Sequence, residues 1–244
     1  MARLFPEPFR SMILTCEEEL IALRDYPQDR FADIVREVGF SCDRCARCCT
    51  RAFNGHIQLL DEDTKRVRRH DPAACEPAFP YTFCDSHGTF YVSGYTIGSR
   101  NDAPGSCLFL DEGRCRIYHD RPAVCRLYPY MLHREPDSRG ITDWRQISGL
   151  NMHGCYHADI PGEEAVRLAR ETKTFEEALL RHEIAFLEFS ADYFTLNGLR
   201  HVRKIYDDRM RAYARGTAIR VMVYFRNRFE PWEIQAGRAR RLTG

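Results

Sequence analysis

Apolar residues recur at helical spacing over residues 15–38, where Leu20, Leu23, Phe31, Ile34, Val35 and Val38 form a broken stripe. Pro27 interrupts that stripe, so two helices are expected, and Gly39 supplies the C-terminal stop. Thr15 with Glu18 three residues later reads as a capping box at the start of the first helix. The pattern then shortens. "HIQLL" (His56 to Leu60) alternates like a strand, and "DEDTKRVRRH" reads as a short helix capped by Asp61, with acids in its first turn. Residues 71–87 are proline-rich and read as loop, carrying Cys75 and Cys84. "GTFYVSGYTIG" (Gly88 to Gly98) is aromatic and β-branched and reads as strand.

"CLFLDEGRCRIY" (Cys107 to Tyr118) has the form of a hairpin turned by Asp111-Glu112-Gly113. "HDRPAVCRLYPY" follows as a helical turn, capped by Asp120, with Pro122 early in it and Pro129 ending it. Beyond residue 162 helical spacing dominates. A Thr174/Glu177 capping box opens "TFEEALLRHEIAFLEFSADYF", and "GLRHVRKIYDDRMRAYARG" ends at Gly216. "IRVMVYF" (Ile219 to Phe225) fits period 2 and period 3.6 equally. The fold class expected is α+β: a cysteine-rich core of short strands and hairpins surrounded by helices. Its parts are N-terminal helices at 1–38, a cysteine-cluster region at 39–160 and a helical region at 161–244.

Composition bounds the function. The net charge is only +1, which argues against broad nucleic-acid binding. No apolar run approaches the roughly 20 residues of a spanning helix. The opening "MARLFPEPFRSMILTC" has no continuous apolar core of a signal peptide and is broken by two prolines, so Cys16 is not read as a lipid acceptor. A cytoplasmic, non-membrane protein is expected, and the reducing cytoplasm turns the 11 cysteines from disulfide candidates into metal or redox candidates.

Four of those thiols fall in one stretch, "FSCDRCARCCTR": Cys42, Cys45, Cys48 and Cys49. A C-x2-C step bends the backbone so that two thiolates face one ion, and C-x2-C-x2-C makes three converge. That spacing holds three corners of a [4Fe–4S] cube in bacterial ferredoxins; with one remote cysteine it also suits four-cysteine zinc. Cys125 in "CRLYP" is the natural remote partner for Cys42, Cys45 and Cys48. Adjacent side chains point apart, so Cys49 is expected to serve a different purpose, either with Cys107, Cys115 and Cys155 at a second site or as a buried or reactive thiol. The isolated Cys16, Cys75 and Cys84 read as buried core. Four clustered thiols flanked by Arg44, Arg47 and Arg51 would make poor core. His56, His119, His153 and His157 lie near the cysteine segments, and His157 is the best placed for a three-cysteine, one-histidine zinc site. Arg121, Arg126, Tyr118 and Tyr128 read as structural. His182-Glu183 lacks the second histidine of a zinc-protease helix and reads as helix surface.

C-x2-C-x2-C-C, followed by "HIQLLDEDTKRV" and "CLFLDEGRCRIYHDRPAVCRLYP", resembles the YkgJ-type CxxCxxCC cysteine-cluster family, described as zinc- or iron-chelating. The resemblance runs over residues 42–129, and Tyr156 stands where the family's C-P-G ending would have proline. The family is similar in its cluster to flagellin lysine-N-methylase, which implies an iron–sulfur cluster and protein methylation. No glycine-rich nucleotide loop accompanies it here. A [4Fe–4S] cluster is expected ahead of zinc. Three classes follow: an enzyme acting on a protein substrate, a zinc-stabilised module that binds a protein partner, or a redox protein.

Overall fold

The computed structural model describes residues 5–55, 57–130, 132–136, 142–147 and 150–242, with backbone alone at 132–136 and 142–147. His56 therefore lies outside the described residues. In chain order the elements are α1 (Phe9–Asp25), α2 (Gln28–Val38), α3 (Arg51–Asn54), β1 (Gln58–Leu59), α4 (Asp61–His70), β2 (Cys75–Pro77), β3 (Phe83–Cys84), β4 (Thr89–Val92), β5 (Tyr95–Ile97), β6 (Leu110–Asp111) and β7 (Arg114–Cys115). Then come α5 (Ala123–Leu127), β8 (Leu132–Pro136), β9 (Thr142–Ile147), α6 (Gly162–Leu196), α7 (Arg203–Ala214), β10 (Ile219–Tyr224), β11 (Phe229–Gln235) and β12 (Arg238–Arg241). The class is α+β, with short sheets, as expected.

By its contacts the chain divides into two compact units, with boundaries inside α1 and α6. The first comprises residues 1–17, 56–98 and 181–244. Its five-stranded sheet has the order β12-β11-β10-β4-β3, with β10 and β4 parallel and the other neighbours antiparallel. A smaller sheet, β1-β5-β2, is antiparallel throughout. The aromatic run that reads as one strand is two, parted by Ser93 and Gly94, and β4 and β5 serve different sheets. Gly94 has φ 125°, a conformation closed to side-chain-bearing residues, so the break falls there. β10 resolves the ambiguous "IRVMVYF": Ile219, Val221 and Val223 are buried while Arg220 is exposed. The C-terminal region, expected to be helical, ends in three strands; in β11 the buried Glu230, Trp232 and Ile234 alternate with less buried neighbours at the period of two that a strand requires. The core gathers Phe9, Ile13, Phe83, Tyr91, Phe186, Leu187, Ala191, Phe194 and Tyr224, with Cys16 packed against it.

The second unit comprises residues 18–55 and 99–180. α2 buries Phe31, Ile34, Val35 and Val38, the i, i+3, i+4, i+7 face of an amphipathic helix. Gly39 ends it in the left-handed conformation, φ 50°, its N–H donating to the Val35 carbonyl. Lys173 Nζ donates to the Tyr26 carbonyl at 2.5 Å and Arg24 pairs with Glu177 at 2.7 Å, tying the helical pair to α6. β6 and β7 form the expected hairpin, and β8 and β9 form another.

Four expected caps are absent. α1 begins at Phe9, not Thr15, whose hydroxyl donates back to the Ser11 carbonyl at 3.0 Å. Thr174 does the same to Arg170 at 2.9 Å inside the continuous 35-residue α6. Threonine satisfied this way sits within a helix, so its cap-like pattern misleads. Asp61 is the first helical residue of α4, and its carboxylate instead accepts the Arg226 N–H at 3.1 Å. Pro122, not Asp120, occupies the N-cap of α5. The segment 71–87 expected as loop contains β2 and β3, which bury Cys75 and Cys84.

Candidate metal centre

The cysteine loop is clamped at its entry. Ser41 and Cys155 exchange both backbone hydrogen bonds, at 2.7 and 2.9 Å. His157 N–H donates to Val38 O at 2.9 Å and Ala158 N–H to Gly39 O at 2.8 Å, so residues 155–158 run along 38–41. Phe40 N–H donates to the Tyr130 hydroxyl at 3.0 Å, and its ring lies among Tyr128, His153 and Tyr156. This pairing could not be read from sequence because it joins segments more than a hundred residues apart.

Inside the loop, Asp43 Oδ1 accepts the Cys45 N–H at 3.0 Å. That bond holds the Asp43 carboxyl below its ordinary value, and His153 adds a smaller pull in the same direction. Arg44 and Ala46 both adopt left-handed backbone, φ 63° and 59°. Such residues cost roughly 1–2 kcal/mol each and are kept where the surroundings demand them. A 3-10 turn over Arg47–Cys49 follows, and Arg47 reaches the Met152 carbonyl at 2.9 Å. Cys42 and Cys45 are exposed, whereas Cys48 and Cys49 are half-buried.

The remote thiols arrive on three elements. Cys107 N–H donates to Cys49 O at 2.8 Å, fixing that strand against the end of the loop. Cys115 closes the β6–β7 hairpin opposite Leu110, not opposite Cys107. The turn has φ 44° at Glu112 and 74° at Gly113, the pair of positive values that a two-residue hairpin turn uses. Cys125 lies in α5, whose entry is set by Pro122. All eight site candidates fall in the second unit, while Cys16, Cys75 and Cys84 fall in the first.

The thiols interact electrically. The Cys49 thiol hydrogen-bonds to Cys48, which lowers the Cys48 pKa and raises that of Cys49. Charge on Cys42, Cys125 or Cys45 opposes ionisation of Cys48. Burial raises Cys107, and Cys49 and Cys115 push the same way. Burial also raises Cys115, with Cys49 adding to it. Cys125 is raised chiefly by burial and then by Cys107, Cys49 and Cys115. Arg121 acts in the opposite direction on Cys49, Cys115 and Cys125. Its guanidinium lies 3.7 Å over the Tyr118 ring and donates to the Tyr118 carbonyl at 2.9 Å, while Arg126 donates to the Arg121 carbonyl. Arg121 is thus held by local contacts while its charge acts on three of the thiols.

Among the described residues no three Cys, His, Asp or Glu side chains form a group that could hold a metal ion as they stand. The donor chemistry nonetheless fits a thiophilic metal: all eight candidate thiols lie in the same unit. His157 is exposed, with Nδ1 3.2 Å from the Glu37 carbonyl oxygen, and His119 is exposed beside Tyr118. His153, which sequence did not single out above the others, is buried among Phe40, Phe53, Tyr128 and Tyr156. Its surrounding aromatics are scattered in sequence, which hid that environment.

Comparison with known families addresses the cysteine pattern. Residues 41–148 match the CxxCxxCC family. Its description is "Putative zinc- or iron-chelating domain", and the match takes in seven of the eight site candidates, leaving Cys155 beyond it. An uncharacterized protein of Methanocaldococcus jannaschii is 28% identical over 105 residues, covering 41% of this chain and 50% of that protein. The chain thus spans about half the length of that relative. No solved structure matches. Among the described residues no helix is long and apolar enough to cross a membrane.

Proposed function

We propose that the protein binds metal through its clustered thiolates, with Cys42, Cys45 and Cys48 as three ligands of a [4Fe–4S] cluster. The observation that carries this reading is the loop itself. Three thiols stand at steps of three residues on a backbone bent by left-handed Arg44 and Ala46 and clamped at Ser41. The CxxCxxCC match supports metal chelation, and the ferredoxin-like spacing favours the cluster over zinc. Bound there, a cluster would supply one-electron or substrate-activating chemistry. The chain's own residues orient it: the Asp43 turn sets Cys45, the 3-10 turn sets Cys48, and the Ser41 clamp sets Cys42. The resemblance of the cysteine-cluster family to flagellin lysine-N-methylase suggests methyl transfer to a protein substrate as the enzymatic form of this reading.

Anaerobic purification with a visible spectrum and iron, sulfide and zinc analysis tests it. Broad absorbance near ~400 nm with about four irons and matching sulfide supports the cluster. A colourless protein holding zinc and no sulfide replaces it with the zinc-stabilised interaction module. The zinc-or-iron description and the all-sulfur donor set suit that second reading as well.

A further inference from the structure

Charge is unevenly placed along the chain. Residues 200–244 carry 12 Lys and Arg against four Asp and Glu, a net +8 in a chain whose total is +1. Within the first unit that excess reaches the rim of the five-stranded sheet, because β12 is its outermost strand and reads Arg-Ala-Arg-Arg.

The backbone of β12 is open on one side. Leu242 N–H donates to Pro231 O at 2.9 Å, so Pro231 and Leu242 face each other as a hydrogen-bonded pair. Bonded and non-bonded pairs alternate along an antiparallel ladder. Glu233/Arg240 and Gln235/Arg238 are therefore bonded pairs, and the N–H and C=O groups of Ala239 and Arg241 point away from β11. Among the described residues no strand lies beyond them. The turn into β12 has φ 47° at Ala236 and 75° at Gly237, the two positive values of a tight hairpin. The edge is thus pre-formed, which lowers the ordering cost of adding a strand to it.

The side chains give this edge a sign. On one face of the sheet the register sets Arg220, Glu233 and Arg240 in a row, positive, negative, positive. Arg240 meets Glu233 at 2.8 Å, and Arg241, on the other face, meets Glu230 at 2.8 Å. Arg238 shares the face of Arg240 and stands opposite Gln235, exposed and meeting no carboxylate among the described residues. An acid continues a row that alternates in sign and stops at a positive residue. A second copy of β12 would set arginine against arginine, so charge opposes self-pairing.

We propose that β12 is a docking edge for an extended acidic segment of a partner protein. The segment adds antiparallel as a further strand, its backbone bonded to Ala239 and Arg241 and its acids at alternate positions beside Arg238 and Arg240. Nucleic acid could use the same guanidiniums, but it carries no repeating donor and acceptor pair to match the outward N–H and C=O groups. The proposal is independent of the thiol site.

The test uses the full-length protein and a fluorescent, end-blocked peptide of about eight residues in which threonine and glutamate alternate, long enough for a typical strand. Anisotropy should show saturable binding that salt weakens, and the lysine-for-glutamate peptide should not bind. Backbone N-methylation supplies the decisive comparison. On the threonines, which face Ala239 and Arg241, it should abolish binding; on the glutamates, whose N–H groups point outward, it should leave the peptide bound. Arg238→Glu should weaken binding about tenfold. Ala239→Pro removes an outward donor without touching the β11–β12 bonds and should lose the peptide, with thermal melts confirming that both variants fold. Absence of saturable binding by the glutamate peptide overturns the proposal, as does equal binding of the two N-methylated forms. Displacement of the peptide by a tighter-binding oligothymidylate also overturns it and makes the edge a phosphate-backbone surface.

Discussion

A Cβ placed on Gly154 would stand 2.3 Å from Cε2 of Phe40 and 2.8 Å from its Cζ. Gly154 also has φ 69°, so two constraints exclude a side chain there. It is the residue before Cys155, and Phe40 is the residue before Ser41, so the close approach of glycine to ring lets the Ser41–Cys155 clamp close. Gly154→Ala should cost about 2–4 kcal/mol, the sum of left-handed strain and displacement of a packed ring. Urea unfolding of the metal-free protein measures it. A midpoint equal to wild type would mean that the clamp contributes nothing to stability.

Glu230 gives the first unit its own pH dependence. The side chain is 2% exposed, accepts the Tyr95 hydroxyl at 2.5 Å, and meets Arg228 and Arg241 at 2.8 Å and Arg68 at 3.4 Å. Burial raises its pKa, but the Tyr95 hydrogen bond, Arg241, Arg68 and Arg228 together prevail and hold it below the usual carboxylate value. A carboxyl depressed on folding stabilises the protein above its unfolded pKa of about 4.3, and that contribution is lost as pH falls through the lower folded value. Glu230→Gln should cost on the order of 2–3 kcal/mol at pH 7. That is less than a fully buried pair because Arg228 and Arg241 remain half in water. Its stability should also fall less than wild type between pH 5 and 3. Parallel stability curves for the two proteins across that range would refute the assignment.

The first unit's cysteines should behave as core, unlike those of the second. Cys75 and Cys84 are 1% and 0% exposed, and burial pushes their thiols up to about 11 and about 12. At pH 8 about a thousandth of Cys75 or less is thiolate, the form that alkylates. In native metal-free protein iodoacetamide should therefore label the exposed Cys42, Cys45 and Cys155 and spare Cys75 and Cys84, which react only in denaturant. Cys75→Ala should leave metal content unchanged. Native labelling of Cys75 at the rate of Cys42, or lost metal in Cys75→Ala, would draw it into the site.

Some of this could be read directly from the residues because local physics decided it. Pro27 splits the first helices and Gly39 stops the second, since φ restriction and left-handed freedom are properties of single residues. The separation of Cys16, Cys75 and Cys84 from the other eight follows from their isolation in sequence. Thr15 and Thr174 misled because a hydroxyl that can cap a helix can also bond back to a carbonyl within one. β11 and β12 were missed because their charged residues alternate with apolar ones only over a few positions. The neighbours of each thiol were hidden for another reason. The 41–155 and 49–107 backbone pairings decide them, and spacing within one segment carries no trace of partners supplied by another.

The hairpin that delivers Cys115 offers a test in which conformation acts almost alone. Glu112 and Gly113 both need positive φ, 44° and 74°, yet a Cβ on Gly113 would meet nothing nearer than the Arg44 carbonyl oxygen at 4.0 Å. Space is therefore available, and the cost of a side chain there is the cost of the backbone shape. Gly113→Val should destabilise by about 1–2 kcal/mol, the penalty of left-handed backbone on an L-residue, with β-branching placing it at the upper end. Glu112→Asn should stabilise by a few tenths of a kcal/mol, because asparagine tolerates that conformation and Asn-Gly is the favoured pair for such a turn. Thermal melts of the two variants beside wild type give the comparison. Opposite shifts in Tm support the turn as described, whereas a Gly113→Val protein as stable as wild type would mean that the chain turns there by some other geometry.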